Sequence, residues 1–80
     1  MEDHTVYIPL CIDKTYYVGC SSNFDERLIR HGKGYVNYTK TRLPVKPIAK
    51  IIFYDKYKAY EFERYLKSGS GRAFMKRHLI

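Results

Sequence analysis

Two runs of β-branched and aromatic residues, 5–12 (Thr-Val-Tyr-Ile-Pro-Leu-Cys-Ile) and 15–20 (Thr-Tyr-Tyr-Val-Gly-Cys), are separated only by Asp13-Lys14. Parallel strands need a connection of about a dozen residues, so these two must pair as an antiparallel hairpin. Pro9 cannot donate to a strand ladder, which predicts an edge position or a bulge for the first strand.

The rest of the chain follows by punctuation. Ser22 is placed to cap a helix running to about His31, with Asp25 completing a variant capping box and Gly32 as the stop. Residues 32–44, rich in glycine, proline and polar side chains, read as a loop. A third strand lies within residues 45–54, centred on 48–53. A second helix is expected from Tyr57 to about Lys67. Ser-Gly-Ser-Gly at 68–71 breaks it, and Ser70 can cap a last helix from Arg72 to about His78. The expected fold is α+β, in the order β-β-α-β-α-α: a three-stranded, mainly antiparallel sheet flanked by helices, in one domain spanning residues 1–80.

Several classes are excluded. Hydrophobic residues are 45% and charged residues 29% of the 80, the balance of a globular rather than a disordered chain. No apolar run approaches the roughly 20 residues that span a bilayer, so no membrane association is expected. The start Met1-Glu2-Asp3-His4 is acidic and polar, unlike a secretory signal. Two cysteines without repeated spacing are no disulfide scaffold, so Cys11 and Cys20 are expected as reduced thiols in a cytoplasmic protein.

Charge is unevenly placed. The net charge is +7. Lys14, Arg27 and Arg30 are outnumbered by acids up to residue 31, whereas from residue 32 onward the only acids are Asp55, Glu61 and Glu63, against a large basic excess. Such a surface suits a polyanion. Nine tyrosines and no tryptophan supply flat faces and phenolic oxygens.

Helix geometry then sorts the polar residues. With Phe24 at zero, Leu28 falls at about 40°, Arg27 at about 300° and His31 at about 340°, all on one face. With Ala59 at zero, Phe62, Glu63 and Leu66 share the apolar stripe of the second helix, while Glu61 falls at about 200°. An inward carboxylate needs a partner, which Arg27, a lysine or a metal cation could be.

Taken together these residues resemble the GIY-YIG nuclease domain family, of the small single-domain bacterial kind, similar to the N-terminal nuclease domain of an excision-repair enzyme. Thr5-Val6-Tyr7 stands for the first signature and Tyr17-Val18-Gly19 for the second. Phe24-Asp25-Glu26-Arg27-Leu28 with His31 matches the arginine helix, Arg42-Leu43-Pro44-Val45 the loop, and Glu63 the metal-binding glutamate. The asparagine that many members carry in the last helix has no counterpart after Glu63, which keeps a nucleic-acid-binding module without cleavage as the alternative.

The resemblance implies a DNA endonuclease using Mg²⁺ or Mn²⁺, linked to repair or recombination. Glu63 would hold the cation and Arg27 a phosphate oxygen. Tyr7 would take a proton from the attacking water, with His31 as the alternative proton carrier, and Tyr17 would hold phosphate or water. Lys33, Lys40, Arg42 and Lys46 would meet phosphates, and Tyr35 and Tyr38 would stack on unpaired bases. Protein partners are left open. Such a site requires Tyr7 and Tyr17 on one sheet face. A two-residue turn at Asp13-Lys14 would separate them, whereas a three-residue loop, Asp13-Lys14-Thr15, or a bulge at Pro9 would bring them together.

Overall fold

The hairpin closes over three residues, Ile12, Asp13 and Lys14, one position earlier than the expected Asp13-Lys14-Thr15. Cys11 N–H donates to Thr15 O (2.8 Å) and Lys14 N–H to Cys11 O (3.0 Å). Lys14 takes φ 70°, the left-handed residue that such loops require. Asp13 decides the position: its carboxylate accepts from Thr15 N–H (3.0 Å), which fixes Thr15 as the first paired residue. The parity is the one the site requires, because Tyr7 pairs with Gly19 and Tyr17 therefore shares its face.

This computed structural model describes residues 3–80, so the reading of the Met1-Glu2 start lies outside them. Strand β1 is His4–Leu10 and β2 is Gly19–Ser21, shorter than expected and preceded by an isolated bridge between Leu10 and Tyr16. Helix α1 is Phe24–Gly32, β3 is Lys46–Phe53, α2 is Lys56–Leu66 and α3 is Gly69–His78. The element order is the expected one. The sheet runs β2-β1-β3, antiparallel throughout.

Pro9 is therefore in the central strand, not at an edge. The bulge reading holds instead: the β1–β3 register slips between Ile8, paired with Ala49, and Pro9, paired with Pro47. Two prolines facing each other at the end of a ladder need no mutual N–H donors.

Two helix caps also move. Asn23, not Ser22, caps α1 by accepting from Glu26 N–H (3.2 Å), while Ser21 Oγ accepts from Asn23 N–H (3.0 Å). Ser68, not Ser70, caps α3 by accepting from Gly71 N–H (3.2 Å). Both runs offer competing cap residues, and the chain path chooses between them. Gly71 is buried where α3 turns back on α2, and a side chain there would collide with the Tyr65 carbonyl.

Alternation along β1 divides the molecule. Val6 and Ile8 face the core with Val18, Ala59, Leu66 and Met75, ringed by Phe53, Phe62 and Phe74. Tyr7 points to the other face, against Phe24 and His31 of α1. Each fully buried aliphatic side chain of the core contributes about 1.5–3 kcal/mol. The two cysteines are unpaired, Cys11 buried and Cys20 partly so.

Candidate active site

The α1 wheel is realised. His31 is fully buried, Arg27 is half-buried and Arg30 is exposed. Arg27 Nε donates to Tyr7 Oη (3.1 Å), and Tyr7 Oη lies 2.9 Å from His31 Nε2. On the far side of the ring, His31 Nδ1 lies 2.7 Å from Thr39 Oγ1. The rings of Tyr7 and Tyr17 both meet His31 edge-on, with centroids 5.7 and 5.4 Å away. Arg27, Tyr7, Tyr17 and His31 thus converge as the sequence predicts.

Burial pushes the Tyr7 phenol up to about 12, against the downward pull of Arg27. Burial, then the charge of Arg27, holds His31 below the ordinary imidazole value. Burial also works against the Arg27 charge, but the oxygens of Tyr7 and Tyr17 outweigh it and raise its pKa. At neutral pH the cluster is a phenol, a neutral imidazole and a guanidinium. Among the described residues Arg27 has no carboxylate partner, which leaves its charge for an anion.

Glu63 approaches from α2. Its side chain is half-buried, and its charge reaches both Tyr7 and Cys20, raising each after the larger effect of burial. Its partner is a lysine, one of the alternatives left open: Lys67 Nζ lies 3.3 Å from Oε2. Lys67 in turn sits 5.9 Å over the Tyr17 ring, which ties this end of α2 to the tyrosines. Glu61 points to solvent and pairs with Lys58 (3.6 Å). Among the described residues no three His, Cys, Asp or Glu side chains gather as a metal cage. One carboxylate still fits a hard cation such as Mg²⁺, which takes its other ligands from water and phosphate oxygens.

The basic loop is less open than expected. Val36 and Thr39 are buried, and a turn from Val36 to Arg42 holds the segment. Arg42, expected at phosphates, has its charge matched already: Nε donates to Asp13 Oδ2 (3.0 Å) and Nη1 to the Tyr38 carbonyl. Its carbonyl also accepts from Ile12 N–H (3.0 Å), so Arg42 braces the loop against the hairpin. The bonds from Thr15, then Arg42, hold the Asp13 carboxyl below the usual range. Tyr38 packs on Tyr17 (5.3 Å) and under Arg42 (4.4 Å), whereas Tyr35 is 66% exposed and has no aromatic partner among the described residues. Lys33, Lys40 and Lys46 are exposed.

Two site residues escape sequence reasoning. Thr39 lies in an aperiodic loop and carries no pattern. Lys50 pairs across the strands with Tyr7 and lies 4.7 Å over Phe24, on the face of the site. Strand alternation opposite Tyr7 was the signal for it, available only once the β1–β3 register was known.

Comparisons with known proteins identify the family. A family model described as the GIY-YIG catalytic domain matches residues 3–77. A UPF0213 protein of Lactococcus lactis subsp. cremoris is 42% identical over 84% of this chain and 69% of its own length. The UPF0213 protein YsiG of Lactococcus lactis subsp. lactis is 44% identical over 84% of this chain and 65% of its own length. The solution NMR structure of a UPF0213 protein from Bacillus halodurans superposes with a TM-score of 0.61 at 32% identity, covering 94% of this chain and 81% of that one. The fold is an α+β one of the nuclease family, and the chain belongs to the GIY-YIG catalytic domain family. No helix among the described residues is long and apolar enough to cross a membrane.

Proposed function

We propose that this chain acts as one domain and is a divalent-metal-dependent DNA endonuclease of the cytoplasm, selective for DNA structure rather than sequence and serving repair or recombination. The observation that carries this reading is the hydrogen-bonded row Arg27–Tyr7–His31, with the Arg27 charge unmatched by any carboxylate among the described residues.

The state of Tyr7 decides how the proton moves. With its pKa raised to about 12 by burial, Tyr7 rests as a phenol at neutral pH. A standing phenolate base is too scarce. A relay avoids it: as water gives a proton to Tyr7 Oη, Tyr7 passes its own to His31 Nε2. The water oxygen forms the new bond to phosphorus, the bond to the leaving oxygen breaks, and that oxygen takes a proton from solvent. The imidazolium then returns its proton through Tyr7 to bulk water. Tyr7 and His31 therefore act in series rather than as alternatives.

Arg27 offers a planar fork to a phosphate oxygen and offsets its charge. Glu63, released from Lys67, would hold Mg²⁺ or Mn²⁺, and the ion when bound would stabilise charge on the phosphate. Lys33, Lys40, Lys46 and Lys50 would meet the backbone and Tyr35 an unpaired base. Phosphate contacts and stacking carry little base information, which supports selection by shape.

Nicking of supercoiled plasmid with Mg²⁺ or Mn²⁺, and none in EDTA, tests the reading, with flaps and branched duplexes compared against linear DNA. Arg27→Ala and Tyr7→Phe should each abolish nicking. Binding to DNA with no nicking under any cation would establish the binding-module alternative.

A further inference from the structure

The relay needs the lone pair of His31 Nε2, not its proton, to face Tyr7. We infer that Thr39 is a positioning residue that holds His31 in the Nδ1–H tautomer, and that the basic loop thereby sets up the proton acceptor. The inference rests on the relay reading above.

Donors and acceptors decide the tautomer. Arg27 Nε can only donate, so Tyr7 Oη accepts from it (3.1 Å) and its own hydrogen must go elsewhere. The acceptor in reach is His31 Nε2 at 2.9 Å. Thr39 Oγ1 has one hydrogen, and its acceptor is the Val36 carbonyl at 3.4 Å, a long contact shared with the N–H groups of Thr39 (3.1 Å) and Lys40 (2.9 Å). Its lone pair then receives Nδ1–H at 2.7 Å. In this arrangement every hydrogen has an acceptor. The reverse arrangement puts the proton on Nε2 and leaves the Tyr7 hydroxyl hydrogen without a protein acceptor among the described residues. Thr39 and His31 are both fully buried, so an unmade bond there is costly. The rings of Tyr7 and Tyr17 cover His31, and Arg27 is the charge beside it.

Thr39 is placed by its own loop. Its N–H donates to Val36 O (3.1 Å) and its carbonyl accepts from Arg42 N–H (2.8 Å), the residue that braces the loop to the hairpin. Loop geometry is thus tied to the proton on a ring in α1.

The test is the tautomer of His31, read from long-range ¹H–¹⁵N correlations in the labelled full chain, beside plasmid nicking. The wild type should show the Nδ1–H form. Thr39→Val, which keeps the shape but cannot accept the bond, should shift His31 toward Nε2–H and slow nicking roughly ten-fold, the size of one hydrogen bond's net contribution. Thr39→Ser should restore both. An Nε2–H wild type, or an unchanged tautomer in a folded Thr39→Val, overturns the inference. Should Thr39→Val fail to fold, the wild-type tautomer and Thr39→Ser decide. A wild type in the Nδ1–H form that nicks nothing overturns the nuclease reading and supports the positioning by Thr39. A wild type that nicks in the Nε2–H form overturns the positioning and the relay, and leaves the nuclease reading standing.

Discussion

Tyr7 lies across Gly19, its antiparallel partner in the sheet. A methyl group on Gly19 would stand 2.5 Å from both Cζ and Oη of Tyr7. The bare glycine lets the phenol cross over β2 and reach Arg27 and His31. Gly19→Ala should push the ring aside and break both hydrogen bonds. Overpacking of this kind costs about 1–3 kcal/mol. In a domain of 60–100 residues each kcal/mol lowers the melting temperature by about 4–8 °C. Nicking should be lost. Calorimetry on Gly19→Ala, Tyr7→Ala and the double variant checks the cause: removing the ring first should cancel most of the glycine effect.

The two glutamates of α2 form an internal control. Glu63→Gln should abolish metal-dependent nicking while leaving DNA binding equal or tighter. The Lys67 pair that it breaks joins the half-buried carboxylate to an exposed lysine one turn on, worth about 0.5 kcal/mol, so melting should shift little. Glu61→Gln should leave nicking and binding unchanged. Equal nicking by both variants removes Glu63 as the cation ligand.

Salt dependence separates the basic residues. Lys40→Ala and Lys50→Ala should each lower the slope of log affinity against log salt by about one, for every DNA sequence. Arg42→Ala should leave that slope unchanged, because Asp13 already matches its charge, yet lower nicking by loosening the loop that carries Thr39. Fluorescence anisotropy at several salt concentrations distinguishes the two kinds of residue.

The depressed pKa of His31 makes stability depend on pH with a definite sign. The unfolded chain takes up the proton more readily, near the ordinary value of 6.5. Its contribution is therefore complete above that value and is lost as pH falls through the folded pKa below it. Melting temperature should drop as pH falls below 6.5, and His31→Gln should flatten that part of the curve. Nicking should hold steady on the alkaline side and fall only below pH 6.5, as the acceptor becomes protonated.

Local periodicity made much of this protein legible. The hairpin, the order of elements and the inward aim of Arg27, His31 and Glu63 all follow from spacing, because residues that share a helix or strand face are set by backbone geometry alone. What lay beyond reach depends on contacts distant in sequence. Asp13 and Arg42 settle the hairpin loop and the path of the basic segment together. The central place of β1 arises only when β3 pairs on its other side, and that pairing sets Lys50 beside Tyr7. Thr39 belongs to no periodic element, and its burial against His31 comes from the loop folding back over α1. Sequence alone thus determined which side chains point inward, and the tertiary structure decided which of them meet, since a hydrogen bond needs atoms within about 3 Å and no local pattern sets that distance.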